Sequence, residues 1–226
     1  AIHCPYGKPA PSLENERWMS QVLDAKDCAE DQELEVDAVV LGSGAGGAVA
    51  AYELASKGLA VLIVEEGAYY KRDSFTNKSL ELYPKFFRNH GFLPAISNTP
   101  ITFGAAKTVG GTTTVNAGSC FRVPEGIVNN WRRNGLEELD NNDLARFFET
   151  VEKMIHVKPS EKKHIGPIWD LIQKGAKSQG LTELYPMPRN AEGCDGQGAC
   201  MFGCPSDAKQ STNVSYIPPA LQRGAF

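Results

Sequence analysis

Along the chain the spacing of apolar positions changes several times, and each change marks a predicted element. Val36-Asp37-Ala38-Val39-Val40-Leu41 is a nearly continuous apolar run that ends at glycines, the pattern of a buried parallel strand. Ala48 to Lys57 is built from helix formers with Gly58 placed to end it, and Ala60 to Val64 is a second buried strand. Together they predict one βαβ unit of about 30 residues. Leu144, Phe147, Phe148, Val151, Met154 and Ile155 fall at helical spacing and predict a helix from Leu139 to His156, capped by Asp140 or Asn142. Ile168 to Gly180 predicts another helix, and Glu16 to Ala25 an amphipathic one within an otherwise polar, proline-bearing start. Tyr69 to Thr102 has no regular period; its aromatics (Tyr69, Tyr70, Phe75, Tyr83, Phe86, Phe87 and Phe92) predict an irregular excursion over a domain surface, held by packing.

Composition narrows the picture. A chain of 226 residues, 42% hydrophobic and 22% charged, accommodates one large or two small globular domains. The net charge of −4 supplies no field for a phosphate backbone, so nucleic acid is excluded as a partner class, and an anionic membrane surface is disfavoured. Ala38 to Tyr52 is the most membrane-like stretch, but glycines interrupt it and it is shorter than the roughly 20 apolar residues of a spanning helix. The chain starts Ala-Ile-His-Cys-Pro, with neither Met nor a signal pattern, which reads as a processed start or a fragment edge; a soluble, cytoplasmic protein is the expectation.

The candidate chemistry begins at Gly42-Ser43-Gly44-Ala45-Gly46-Gly47, a G-x-G-x-x-G directly after the first strand and at the mouth of the following helix. In that context Gly42 permits the tight turn and Gly44 admits a pyrophosphate to the backbone. Gly47 lets helix and strand approach, and the helix N-terminus offers N–H donors to the anion. Glu65, at the end of the second strand, is placed to accept hydrogen bonds from a ribose 2′-hydroxyl, and its charge repels a 2′-phosphate. Gly42, Ser43, Gly44, Ala45, Gly46, Gly47 and Glu65 are therefore candidate dinucleotide-binding residues. NADP is disfavoured, while NAD and FAD are not separated by this unit. The competing reading is a glycine-rich turn of another α/β fold, with Glu65 or Glu66 a solvated strand end.

Val109-Gly110-Gly111-Thr112-Thr113-Thr114-Val115-Asn116, followed by Arg122, Pro124 and Trp131, resembles the flavin-facing glycine-pair motif of the glucose-methanol-choline (GMC) oxidoreductases. Val61 to Gly67 is similar to that family's second-strand signature, and Thr212 to Leu221 to its return into the nucleotide-binding domain. The run Cys194, Cys200, Cys204-Pro205, then Asp207 to Thr212, is similar to the long-chain alcohol oxidase-like branch. The resemblance implies an α/β chain with an incomplete Rossmann-like FAD-binding domain and part of a cap or substrate region. It divides the chain into an extension (1–35), a first FAD-domain segment (36–125), a helical substrate-side segment (126–193), and a cysteine loop with the return into the FAD domain (194–226).

It also implies FAD as the cofactor and oxidation at the CH–OH carbon of an alcohol, apolar in this branch, with hydride passing to the flavin. Gly110, Gly111, Thr112, Thr113 and Asn116 join the candidate cofactor-binding set: the glycines let the chain pass close to a flat ring, and the short polar side chains supply hydrogen bonds. Seen alone, the same residues read as a glycine turn leading into a Thr-rich strand. Some relatives attach flavin covalently through a histidine just before the asparagine; Val115 stands there, which implies dissociable FAD. Spacing beyond Asn116 departs from the family by one residue, placing Cys120 before Phe121. The family's catalytic base is a histidine in its C-terminal part, and none of His3, His90, His156 or His164 lies in a matching motif, so no catalytic residue is identified. The chain is expected to stop before that part, with a complementing polypeptide or an electron-acceptor subunit as candidate partner.

Cys194, Cys200 and Cys204 crowd into eleven residues among glycines. As tentative metal ligands they suggest an iron–sulfur cluster, of the three-iron kind that some membrane-linked relatives carry; as structural thiols they suggest a tight loop with or without a local disulfide. Alongside the enzyme, two other classes remain: a nucleotide-binding subunit without turnover, and an electron-transfer module centred on that loop.

Overall fold

A computed structural model describes residues 16–28, 30–31 and 33–226. His3, Cys4 and most of the predicted polar extension lie outside the described residues. The chain divides into two compact units: Ala1–Gly118 with Gly193–Phe226, and Ser119–Glu192.

The first unit is built on the predicted βαβ pattern. Strand β1 (Ala38–Leu41) and strand β2 (Val61–Val64) pair in parallel with Ala38 opposite Val61 and Leu41 opposite Val64, and helix α1 (Ala45–Ser56) connects them. α1 starts three residues earlier than its helix formers suggest, because Ala45, Gly46 and Gly47 take the helical conformation directly after the turn. Its buried face is Ala48, Ala51 and Ala55, small side chains that let the helix lie close to its neighbours, and Gly58 (φ +84°) ends it. The strand side chains Val39 (54% exposed), Leu41 (80%) and Val64 stand largely uncovered, unlike the fully buried strands that their composition predicts.

The segment predicted as an irregular excursion is the main correction. It holds helix α2 (Ser79–Phe86) and a short antiparallel pair, β3 (Leu93–Ala95) with β4 (Ile101–Phe103). Phe75, Leu82, Phe86 and Phe87 form a buried core with Val115, and Tyr70, Ala106 and Phe202 pack against it. Tyr70 meets Phe86 with ring centroids 4.6 Å apart and Tyr83 meets Phe202 at 5.4 Å, both edge to face. The aromatics do pack, as expected, but as the centre of the unit instead of its surface. A short helix, α3 (Thr112–Val115), follows, so the threonine run is helical and not a strand.

In the second unit, helix α4 (Glu125–Arg133) precedes helix α5 (Asn141–Met154); of the two candidate caps it is Asp140 that serves, accepting the Asn142 N–H at 2.5 Å, while Asn142 lies inside the helix. Strand β5 (Val157–Pro159), helix α6 (Lys162–Ile165) and helix α7 (Ile168–Ser178) follow; strand β6 (Pro188–Asn190) then pairs antiparallel with β5. Arg122 donates two hydrogen bonds to Glu152 (2.8 and 2.7 Å), which holds that carboxyl below its usual range. The chain re-enters the first unit at Gly193 and ends in helices α8 (Thr212–Ser215) and α9 (Ile217–Gln222). α9 packs on α1, with Tyr52 and Tyr216 edge to face at 5.5 Å. Phe226 then extends the sheet along β2, donating to the Val61 carbonyl at 3.0 Å and accepting from Ile63 N–H at 2.7 Å.

The predicted helix at Glu16–Ala25 is not α-helical. Two 3-10 turns, Glu16–Gln21 and Ala25–Asp27, occupy this stretch. No helix of the described residues is long and apolar enough to cross a membrane.

Phe86 has no exposed surface and anchors the aromatic core, so Phe86→Ala is expected to cost about 3–5 kcal/mol. Leu80, 91% exposed on the same helix, is the control: Leu80→Ala should stay within about 0.5 kcal/mol. Urea unfolding of both variants checks the pair.

Candidate functional site

The glycine turn sits where β1 gives way to α1. Gly42 (φ +91°) takes a conformation that L side chains rarely adopt and donates its N–H to the Val64 carbonyl at 2.7 Å, tying the turn to the end of β2. A Cβ on Gly47 would lie 1.9 Å from the Gly42 carbonyl oxygen, so helix and turn meet backbone to backbone. The first backbone bond of α1 runs from Ala48 N–H to the Gly44 carbonyl (2.9 Å). The N–H groups of Ala45, Gly46 and Gly47 thus fall in the first turn, where a helix supplies no carbonyl for them, and Gly44 caps it without a side chain.

Ser43 is buried and joins the site together. Its N–H and hydroxyl both donate to Glu65 Oε2 (2.9 and 2.7 Å), while its Oγ accepts the Gly110 N–H at 2.9 Å. Gly67 N–H donates to the other oxygen of Glu65 at 2.8 Å. Three of the carboxylate's roughly four acceptor positions are thereby occupied, which leaves one for an outside hydroxyl. The neighbouring Glu66 is exposed and pairs instead with Arg88 and, at 4.0 Å, Lys107.

The second glycine motif abuts the first: a Cβ on Gly111 would be 2.9 Å from Gly44 Cα. The polar side chains that follow are turned inward. Thr113 donates to the Gly110 carbonyl (2.6 Å) and accepts from Thr212 N–H (3.0 Å). Thr112 Oγ1 accepts from Ala106 N–H at 3.2 Å, and Asn116 Oδ1 from Gly118 N–H at 3.0 Å. The structure therefore brings Gly42, Ser43, Gly44, Ala45, Gly46, Gly47, Glu65, Gly110 and Gly111 to one place and engages the threonines and Asn116 in shaping the chain around it.

Sequence reasoning missed the return segment's part in this site. The Thr212 hydroxyl lies 3.0 Å from the Ser43 carbonyl and 3.2 Å from that of Gly110, and Asn213 Oδ1 accepts from Ser211 and Thr114 (2.6 and 3.3 Å). Lys209, 2% exposed, donates through Nζ to the carbonyls of Thr114 (2.7 Å), Asn116 (2.8 Å) and Cys200 (2.7 Å). Three carbonyls match the three N–H donors of an ammonium. Lys209 falls in the Asp207–Thr212 run that is similar to the long-chain alcohol oxidase-like branch, but nothing local distinguishes it from a solvated lysine.

A cavity of 670 Å³ opens beside the turn, bounded by Ser43, Glu65, Tyr69 and Val109 and closed on another side by residues 19 and 21–27. This is the size of an ordinary small-molecule site. Gly44 adds a further sign of a ligand: a Cβ there would find nothing nearer than Gly111 Cα at 3.9 Å, so protein packing gives no reason for a bare backbone at this point. The helix N-terminus, the carboxylate and the uncovered backbone fit the phosphate, ribose and close-approach requirements of a dinucleotide.

The cysteine loop does not fit a metal cluster. Among the described residues no three His, Cys, Asp or Glu stand together as a ligand set, and Cys194, Cys200 and Cys204 are not joined to one another by a local disulfide. Cys204 Sγ accepts the Lys209 N–H at 3.4 Å, and burial pushes the Cys120 thiol up, away from thiolate chemistry. His90, in the same unit as the cavity, does not border it.

The family model for GMC oxidoreductases matches residues 36–226. The chain is 37% identical over 84% of its length to an uncharacterized GMC-type oxidoreductase of Mycobacterium tuberculosis, covering 30% of that protein. It is 32% identical over 81% of its length to a long-chain-alcohol oxidase of Arabidopsis thaliana, covering 25% of it, and 24% identical over 84% to a cholesterol oxidase of Acinetobacter baumannii, covering 39%. The chain thus spans between a quarter and two fifths of the length of these relatives.

Lys209→Met would take this donor from three carbonyls, that of Thr114 buried and those of Asn116 and Cys200 partly so, with a buried group left unmatched costing about 1–3 kcal/mol. Chemical denaturation should show a loss of at least about 3 kcal/mol, with Lys209→Arg recovering part of it.

Proposed function

Because the chain belongs to the GMC oxidoreductase family, whose N-terminal domain binds FAD, we propose that it holds FAD non-covalently for an enzyme that oxidises the CH–OH carbon of an apolar alcohol. The observation that carries this reading is the bare backbone at Gly44, set between the N-terminus of α1 and the Gly110-Gly111 pair with Glu65 alongside. The first-turn N–H groups of α1 receive the pyrophosphate, and the remaining acceptor of Glu65 takes a ribose hydroxyl. Gly110 and Gly111 admit the flavin end. When bound, FAD supplies the two-electron acceptor for hydride leaving the alcohol carbon.

What this chain's residues contribute is binding and orientation. Ser43 locks the two glycine motifs together, and Lys209 fixes the backbone that leads from Gly111 to Asn116. Residues 126–193 form the substrate side in this reading, and the long-chain-alcohol oxidase and cholesterol oxidase relatives support an apolar substrate. The exposed Val39, Leu41 and Val64 support a further polypeptide segment over the sheet.

Gly44→Ala separates binding from folding, because the protein has room for the methyl while a closely approaching pyrophosphate does not. Thermal unfolding of the cofactor-free protein should be unchanged. FAD affinity should fall at least about tenfold, equivalent to about 1.4 kcal/mol. Acid precipitation should release all flavin into the supernatant; flavin retained in the pellet would refute the non-covalent reading, and unchanged affinity would refute the placement of the phosphates.

A further inference from the structure

The family match begins at residue 36, yet one wall of the cavity beside Glu65 is built from residues 19 and 21–27. This segment is fastened down. Trp18 is 4% exposed and meets Tyr69 edge to face, with ring centroids 5.5 Å apart and planes at 84°. Its 3-10 turn also packs on α9. The second turn is closed by Asp24, whose carboxylate accepts from Lys26 N–H at 3.2 Å and from Lys26 Nζ at 2.6 Å. Between the two fastened turns lie Val22 and Leu23, apolar side chains that border the cavity; Leu23 is 67% exposed, and Val22 lies at the edge of the exposed range.

We propose that residues 18–27 form a roof over the adenosine end of the bound dinucleotide, with Trp18 as its anchor and Val22 and Leu23 as the apolar surface that covers the base. The proposal rests on the FAD-binding reading above and adds a binding element outside the part of the chain that the family model matches. Three observations converge on the adenosine end and not on another part of the ligand. The cavity contains the strand-end carboxylate and Ser43, the position where a doubly wound fold receives a ribose. The roof supplies the exposed apolar side chains of Val22 and Leu23 to the cavity wall, which a flat base would cover. The charges around the cavity include Asp24, Asp27, Glu65 and Glu66 against Lys26 and Lys71, a balance that accepts hydroxyls and disfavours an added phosphate on the ribose.

The roof predicts slower loss of FAD without an effect on a flavin that lacks adenosine. In the full-length protein, Trp18→Ala and Leu23→Asp should each weaken FAD binding about tenfold or more, read by flavin fluorescence after dilution, while FMN binding stays at the wild-type level. Leu23→Asp alters an exposed side chain, so its cofactor-free unfolding should match wild type even if Trp18→Ala is destabilised. Adenosine 5′-monophosphate should protect Lys26 from amine-modifying reagents in the wild type and not in Trp18→Ala. Wild-type FAD affinity in both variants would overturn the roof while leaving the FAD-binding reading intact. Equal loss of FMN and FAD would overturn it in favour of a general folding role for the segment. A wild-type protein that binds neither FAD nor adenosine 5′-monophosphate would overturn the underlying reading and the roof together.

Discussion

The structure depends on one buried hydroxyl. Ser43 lies in the glycine turn, yet it donates to Glu65 at the end of β2 and accepts from Gly110, 67 residues further along the chain. A buried hydroxyl left unmatched costs about 1–3 kcal/mol, so the turn, the strand end and the second glycine motif hold one another in place. Thr212 adds the return segment by reaching the carbonyls of both Ser43 and Gly110. No single interaction here is strong. Their coupling matters because each partner fixes the geometry in which the next one is satisfied.

The same economy of space explains the cysteine loop without a metal. A Cβ on Gly203 would fall 2.0 Å from the ring of Phe75, so the loop is pressed against the aromatic core at a point where no side chain fits. Phe202 packs on that core, and the Cys200 carbonyl receives one of the three hydrogen bonds of Lys209. Small residues are what such a position tolerates, and the partly buried cysteines are small side chains of this kind. In this arrangement the loop is part of the packing. It closes the aromatic core and supplies a carbonyl that helps to neutralise a buried cation.

The parts of the fold that were legible in the sequence are those whose cause is local. β1, α1 and β2 follow from an apolar run, a set of helix formers and three glycines with separate tasks, and α5 follows from its periodicity and the Asp140 cap. The aromatic segment was read as surface because Phe75, Leu82, Phe86 and Phe87 obey no single period. They converge only when α2 and the loop before it fold onto Val115 and Phe202. The roles of Lys209 and Thr212 were hidden for a related reason, although both fall in runs similar to the family's: Cys200 apart, the carbonyls that Lys209 Nζ and the Thr212 hydroxyl reach lie 93 to 169 residues away, and spacing carries no trace of such pairings. The N-terminal stretch fails differently: Glu16–Ala25 has helical patterning, but Asp24 captures the backbone of Lys26 and starts a new turn, as aspartate does when it competes with a helix.

Glu65 and Glu66 show how the turn sorts two adjacent like charges into different roles. Glu66 is exposed and faces Arg88 and Lys107, so its charge is spent at the surface, where pairs contribute little. Glu65 is half-buried, and the backbone N–H groups of Ser43 and Gly67 and the Ser43 hydroxyl hold it. A carboxylate held by neutral donors keeps its acceptor character towards a further hydroxyl, whereas one clamped by a guanidinium would be saturated by the fork of donors it faces. The arrangement therefore separates two electrostatic tasks along a few ångströms of backbone. The N-terminus of α1 is the place for phosphate, where the dipole and the unfilled N–H groups favour an anion. The strand end is the place for hydroxyls, because the charge already there repels phosphate. A dinucleotide, with its anionic middle and neutral sugar end, satisfies both conditions in one orientation.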